Sequence, residues 1–111
     1  MSDTIDLPAA VPAELLDSIV AYFHPRRVIL FGSQARGDAG PDSDIDLLVI
    51  LDDNAPAELT TLAAGYEARR HYPYAADVIP IRDMVFERRR HIIGTLSEVA
   101  STEGRVVYER H

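Results

Sequence analysis

The first half of the chain passes from a helical to an extended pattern of apolar positions. Apolar side chains recur at helical spacing over residues 12–23, and Pro25 ends the segment, so we predict a helix there. Two apolar runs, 26–32 and 44–52, are typical of buried strands. The glycine-rich and proline-containing stretch 33–43 between them predicts a short turn of helix and a loop.

A second helix is predicted after the second strand. Asn54 and Pro56 are favourable at its start, and it should end near Pro73. Its inner face is predicted to comprise Leu59, Leu62, Ala63 and Tyr66. A third strand follows at 76–81, and Pro80 within it indicates that the strand lies toward an edge of the sheet or ends there.

The last thirty residues have a weaker pattern. We predict a short helix at 82–92, a helical segment at 94–102 that stops before Gly104, and a fourth strand at 105–109. Alternation of helices and strands predicts an α+β (α/β) fold with a small mixed sheet and helices. Residues 1–9 lack periodicity and are expected to be a flexible lead-in to a single domain over 10–111.

Composition and charge narrow the possible chemistry. The 111 residues include no cysteine, so disulfides and thiolate metal sites are excluded. A formal net charge of −7 disfavours a long nucleic acid as partner, because such binding depends on basic residues. All eleven basic side chains are arginine, which excludes chemistry that depends on lysine.

The chain carries no signal for a membrane. Its apolar runs are far shorter than the roughly 18 residues of a membrane-spanning helix. The acidic N-terminus has neither the basic nor the apolar region of a signal peptide. We therefore expect no membrane partner and a cytoplasmic location.

Small and acidic residues stand at the ends of the predicted strands. Gly32 and Ser33 close the first strand, Asp44 and Asp46 open the second, and Asp77 opens the third. A loop of about ten residues allows the first two strands to be antiparallel, and the crossover helix makes the third parallel to the second. All five residues are then expected at one edge of the sheet.

Such a group of carboxylates predicts a divalent metal site. Three neighbouring carboxylates repel one another unless cations lie between them. Oxygen ligands favour Mg²⁺, with Mn²⁺ possible, and two ions about 4 Å apart are typical of displacement at phosphorus. Gly32 would let a phosphate approach the backbone, and Ser33 could donate hydrogen bonds to it.

Several of these residues also have simpler interpretations. An isolated Asp-x-Asp is more often part of a solvated turn. A Ca²⁺ loop beginning at Asp42 is excluded, because Leu47 and Asp53 occupy positions that require glycine and glutamate. Arg36 could contact a triphosphate or pair with a neighbouring aspartate. The run 88–90 could bind an acidic partner or form a solvated helix face.

Three stretches together resemble a known family. They are "FGSQARG" at 31–37, "SDIDLLVI" at 43–50 and "STEGRVVYE" at 101–109. With Asp77 on a later strand, they are similar to the MNT, or minimal nucleotidyltransferase, branch of the superfamily that includes DNA polymerase beta. The resemblance covers about residues 12–110.

The resemblance implies specific roles for these residues. Asp44 and Asp46 would bind two Mg²⁺ ions, and Asp77 would bind one of them and help to deprotonate the attacking hydroxyl. Gly32, Ser33 and Arg36 would bind the nucleotide. The reaction would transfer a nucleoside monophosphate, most often AMP from ATP, to a hydroxyl acceptor.

The resemblance also implies a biological context, in which two other functions stay open. Family members of this size are commonly antitoxins of a HEPN-type toxin, with which this chain could form an oligomer, and some of them silence the toxin by adenylylating its tyrosine. One alternative is a non-catalytic antitoxin that neutralises its toxin by stoichiometric binding. Another is nucleotidyl transfer to a small, aminoglycoside-like alcohol.

Overall fold

The chain forms a four-stranded sheet with helices on both faces. The computed structural model describes residues 11–32 and 44–110. The strand order is β3-β2-β1-β4. In chain order the elements are α1 (Ala13–Phe23), β1 (Arg27–Phe31), β2 (Ile45–Leu51), a 3₁₀ helix (Ala57–Thr60), α2 (Leu62–Ala68), β3 (Ala76–Arg82), α3 (Asp83–Arg89), α4 (Leu96–Glu103) and β4 (Arg105–Glu109).

The directions of the strands agree with those predicted from the connections. β1 is antiparallel to β2, and β2 is parallel to β3. β4 is antiparallel to β1, with an irregularity in register between Val28 and Ile29. β3 lies at an edge of the sheet, as Pro80 predicted. The fold class predicted from the sequence, a small mixed sheet with helices, is therefore confirmed.

The sheet separates two hydrophobic cores. On its first face, alternate strand residues such as Leu30, Leu47 and Val78 pack with α1 and α2. On its second face, Ile29, Leu48 and Ile50 pack with Phe86 of α3 and Ala100 of α4. β2 contributes to both cores, which explains why its sequence is continuously apolar instead of alternating.

The predicted helix after β2 is broken, and its predicted inner face is wrong except for Leu59, which packs against the first core. Thr61 is extended and caps α2 by accepting a hydrogen bond from the Ala64 amide at 3.0 Å, so the segment splits in two. Leu62 and Tyr66 are 73% and 68% exposed, and Ala63 is exposed too. The buried residues are instead Ala64, Gly65 and Ala68.

The small residues of α2 explain why this face is the buried one. A side chain at Gly65 would collide with the carbonyl oxygen of Val78, so only glycine permits this approach of α2 to β3. Alanine at the neighbouring buried positions keeps the same short distance. Close packing of backbones therefore outweighs the larger apolar area that Leu62 and Tyr66 would bury.

The C-terminal elements follow the predicted pattern. α3 and α4 fall within the predicted helical segments, and the amide of Gly104 ends α4 by donating to the Ala100 carbonyl at 2.9 Å. None of the described helices is long and apolar enough to cross a bilayer. The predictions for 1–9 and 33–43 lie outside the described residues.

Candidate active site

Gly32 lies directly against the carboxylate of Asp46. Gly32 follows β1 with a φ of +78°, a backbone conformation that glycine adopts without strain. A Cβ atom built at this position would lie 2.5 Å from Oδ2 of Asp46. Glycine is therefore required at this position for two reasons, the positive φ angle of the backbone and the lack of space for a side chain beside the Asp46 carboxylate.

Asp46 and Asp77 face each other across two parallel strands. They are register partners in β2 and β3, whose backbones are about 4.8 Å apart. Strand alternation places both on the second face of the sheet, with Leu48, Ile79 and α3. Asp46 is half-buried and Asp77 is exposed. Two aspartates far apart in sequence thus lie side by side at one end of the strands, where β2 and β3 begin.

The other predicted residues are only partly placed. Asp44 is exposed and immediately precedes β2. Within residues 11–32 and 44–110, no three His, Asp or Glu side chains are grouped closely enough to hold a metal ion. The structure thus brings Asp46 and Asp77 together beside Gly32, without a third carboxylate in the group. Ser33 and Arg36 lie outside the described residues.

The paired carboxylates suit a magnesium ion that is shared with a substrate. Mg²⁺ prefers oxygen ligands and is commonly bound by one or two carboxylates together with substrate phosphates. Asp46 and Asp77 offer such oxygens, and the missing side chain of Gly32 leaves room beside them. The donor set therefore fits Mg²⁺, with further ligands coming from a bound nucleotide.

The opposite ends of the same strands are electrostatically different. Asp52, which follows β2, accepts hydrogen bonds from both Nη atoms of Arg110, at 2.7 and 3.1 Å. Hydrogen bonding to Arg110, helped by the charges of Arg110 and Arg26, lowers the pKa of the Asp52 carboxyl. The same hydrogen bond raises the pKa of Arg110. Here the Asp52 carboxylate has arginines beside it.

A cavity of about 500 Å³ lies on the second face of the sheet. Its walls include Leu48 and Ile79, which are two residues along β2 and β3 from Asp46 and Asp77. Arg82 and Arg89 also line it. Sequence reasoning missed Arg82 altogether. The run 88–90 was noted, but its pattern does not show that Arg89 alone of the three borders this space.

A second cavity, of about 320 Å³, lies on the outer side of β3. Asp77 borders it together with Leu62 and Tyr66, two exposed residues of α2. Periodicity had placed both of these residues in the core. The helix is interrupted at Thr61, which turns both residues outward, and a hydrophobic pattern does not predict this interruption.

Comparison with known proteins agrees with this architecture. The family described as "Nucleotidyltransferase domain" matches residues 13–101, which is most of the chain. Among curated proteins, no sequence matches significantly.

Two solved structures share the fold. A Sulfolobus solfataricus protein provisionally assigned as a nucleotidyltransferase matches with a TM-score of 0.58 and 21% identity, over 87% of this chain and 76% of that one. A toxin–antitoxin complex with AMP-PNP matches with a TM-score of 0.55 and 14% identity, over 91% of this chain and 76% of that one. At these identities the likeness concerns the fold alone.

Proposed function

We propose that this chain, which belongs to the nucleotidyltransferase domain family, transfers AMP from ATP to a hydroxyl group of a partner protein. The observation that carries the proposal is the parallel register of Asp46 and Asp77, with the Asp46 carboxylate against Gly32. This arrangement offers two carboxylates and an open approach for phosphate at one edge of the sheet.

The proposed reaction is a displacement at the α-phosphorus of ATP. The oxygen of the acceptor hydroxyl forms a bond to that phosphorus, and the bond between the α-phosphorus and the bridging oxygen breaks. Pyrophosphate leaves with the electrons of the broken bond. The hydroxyl proton passes to the Asp77 carboxylate and then to solvent, so Asp77 acts as the general base.

Each residue of the site has a part in this proposal. The absence of a side chain at Gly32 lets the phosphates approach the backbone beside Asp46. By the resemblance, Ser33 and Arg36 bind the same phosphates. By the resemblance, Asp44, Asp46 and Asp77 would hold two Mg²⁺ ions, with Asp46 and Asp77 as the register pair and Asp44 as a ligand outside that pair. When bound, these ions neutralise phosphate charge and favour the ionised form of the acceptor hydroxyl.

The proposed acceptor is a tyrosine of a HEPN-type toxin, so that the chain acts as an antitoxin. A solved toxin–antitoxin complex with AMP-PNP shares the fold over 91% of this chain, which supports a protein partner and an adenine nucleotide. The tyrosine itself is inferred from the resemblance of the sequence motifs. We therefore treat the acceptor as the part of the proposal most in need of a direct test.

Radiolabelled nucleotides test the reaction. The chain and its partner toxin are incubated with each α-labelled nucleoside triphosphate and Mg²⁺, and label on the partner is measured. We expect label from ATP, lost on chelation and in Asp77→Asn. Glu58→Gln is the matched control, because Glu58 is an exposed carboxylate on the 3₁₀ helix, away from the site. Full labelling by Asp77→Asn would remove Asp77 from the reaction.

Stoichiometric binding is the second candidate, and a double substitution separates it from catalysis. If Asp44→Ala/Asp46→Ala protein still neutralises the toxin fully, neutralisation needs no transfer. If neutralisation is lost while binding of the toxin is retained, catalysis is required. Label on an aminoglycoside instead of the toxin would favour the small-molecule alternative.

A further inference from the structure

The cavity of about 500 Å³ lies on the same face of the sheet as Asp46 and Asp77, further along β2 and β3. Ile79 is two residues beyond Asp77 in β3, a distance of about 6.6 Å along a strand. The wall opposite the sheet includes Val85 of α3 and Leu96 of α4. The volume lies in the range of about 300 to 1,000 Å³ that is typical of ligand sites. The cavity therefore opens within reach of groups that react at Asp77.

Two arginines that line the cavity have no acidic partner in the part of the chain that the structure describes. Within the described residues, neither Arg82 nor Arg89 has a carboxylate within salt-bridge distance, whereas five other arginines do. Arg82 donates from Nη2 to the Ala55 carbonyl at 2.7 Å, and its buried Nε has no hydrogen-bond partner among these residues. Two arginines beside one cavity that have no carboxylate partner among the described residues, in a chain of net charge −7, favour a negatively charged ligand.

The order of the strands separates the two substrates of the proposed reaction. Gly32, where we place the phosphates, follows β1, whereas Asp77 and the cavity belong to β3, on the other side of β2. In a displacement at phosphorus, the attacking and leaving oxygens lie roughly in line on opposite sides. If pyrophosphate leaves toward β1, the acceptor approaches from β3, which is the side with the cavity.

We infer that the cavity binds the acceptor, and that the acceptor carries a negatively charged group, which Arg82 and Arg89 bind at a distance from the reactive hydroxyl, because Arg82 is five residues, or about 16 Å, beyond Asp77 in β3. This inference rests on the proposed function and extends it by naming the chemistry of the acceptor. For a protein acceptor, it means a tyrosine in an acidic segment. The apolar part of the cavity, formed by Leu48, Ile79 and Leu96, would contact the aromatic ring.

Charge-matched probes test the inference on the intact chain. One pair of probes is a tripeptide with tyrosine between two glutamates and its counterpart with two lysines. A second pair, 4-hydroxyphenylacetate and tyramine, has the same ring and hydroxyl with opposite charges. Binding is followed by two-dimensional NMR of the backbone amides. We expect each acidic probe to bind about tenfold or more tightly than its basic counterpart, and to shift the amides of 79–82 and 95–97.

Three single variants test whether the preference for acidic probes arises in the cavity. Arg89→Gln and Arg82→Gln should each weaken binding of the acidic probe about tenfold. Arg88→Gln is the matched control, because Arg88 is exposed, does not line the cavity and forms no salt bridge with a described residue. Arg89 makes no side-chain hydrogen bond to a described residue, so its replacement keeps the test valid even if Arg82→Gln fails to fold.

The outcomes distinguish this inference from the proposed function. Equal binding of acidic and basic probes, no shift in these amides, or shifts confined to 62–69 would overturn the inference. If ATP shifts the amides of 79–82 and 95–97 more than the acidic probes do, the inference is overturned too, because the cavity would then hold the nucleotide. An acidic preference that survives in Asp77→Asn, combined with no transfer in the unaltered protein, would refute the function instead. A stronger preference for the peptides than for the small molecules would indicate a protein acceptor.

Discussion

The two ends of the strands differ in the partners of their acidic side chains. At one end, Asp52 accepts hydrogen bonds from Arg110, and Arg27 pairs with Asp83 at 2.9 Å. At the other end, the register sets Asp46 against Asp77, carboxylate beside carboxylate. Like charges opposite each other in a sheet are destabilising, by about 0.2–1 kcal/mol per pair.

The difference indicates what each end contributes. The end with arginines joins elements that are distant in sequence, because Arg110 follows β4 and Asp52 follows β2. The setting of Asp46 opposite Asp77 does not itself add cohesion at the other end. A folded chain tolerates this cost where the charges bind a ligand, which is how we interpret the edge formed by Gly32, Asp46 and Asp77.

The largest expected effect is on activity, at the end with paired carboxylates. Asp46→Asn and Asp77→Asn should each lower the rate of nucleotidyl transfer by about 10³-fold, because each removes a carboxylate from the reacting group. For Asp77→Asn, the free energy of unfolding should change by no more than about 1 kcal/mol, since the exposed Asp77 carboxylate forms no salt bridge with a described residue. Labelled transfer and urea denaturation measure the two effects. A large loss of stability would show that this end supports the fold.

Gly32→Ala should affect both activity and stability. The φ of +78° strains any other residue by about 1–2 kcal/mol, and the new Cβ would displace the Asp46 carboxylate. We expect transfer to fall by about 10²-fold, because a shift of about 1 Å in a reacting group has that effect. Gly94→Ala is the control, since Gly94 has a φ of +94° but open space around it. Equal losses of transfer in both variants would contradict the role of the contact with Asp46.

Arg27→Gln should mainly lower stability. The guanidinium pairs with Asp83 in a half-buried position and lies 5.5 Å from the centre of the Phe86 ring. We expect the free energy of unfolding to fall by about 1–2 kcal/mol, with transfer unchanged. Arg70→Gln, which removes an exposed pair with Glu67, should have little effect. A double-mutant cycle with Asp83→Asn measures the coupling, and a coupling near zero would remove the ion pair from the account.

Asp52→Asn should have the smallest effect, and it should depend on pH. Arg110 lowers the pKa of the folded-state carboxyl below its ordinary value of 3.8, so the pair stabilises the protein above that value. The contribution is lost as the pH falls through the folded-state pKa. The unaltered protein should therefore be slightly more stable than the variant at about pH 7, and equal to it at about pH 2. Thermal unfolding across this range provides the test, and a difference that grows toward acid pH would contradict the sign.

The sequence allowed the sheet to be predicted because its signals are local. The apolar runs of β1 and β2 mark buried strands, and the helix between β2 and β3 requires a parallel pair. From these two facts alone, Gly32, Asp46 and Asp77 were expected at one edge, and the register places them there. The metal and nucleotide roles of these residues stay predictions.

The inner face of α2 could not be predicted from periodicity. Leu62 and Tyr66 have the hydrophobicity of core residues, yet α2 packs through Ala64, Gly65 and Ala68. That choice depends on how closely one backbone can approach another, as the contact between Gly65 and the Val78 carbonyl shows. No hydrophobic pattern contains this information, because the partner surface belongs to a strand more than ten residues away.

By itself, the sequence determined the class of fold, the directions of the first three strands and the position of Gly32, Asp46 and Asp77 at one end of them, since each follows from apolar runs, turns and connection lengths. Only the tertiary structure decided that Arg82 and Arg89 border one cavity and that two exposed residues of α2 lie beside Asp77. The physical reason is that strand order and direction follow from the chain's connectivity. The shape and charge of a cavity depend instead on side chains from elements that meet only in the folded protein.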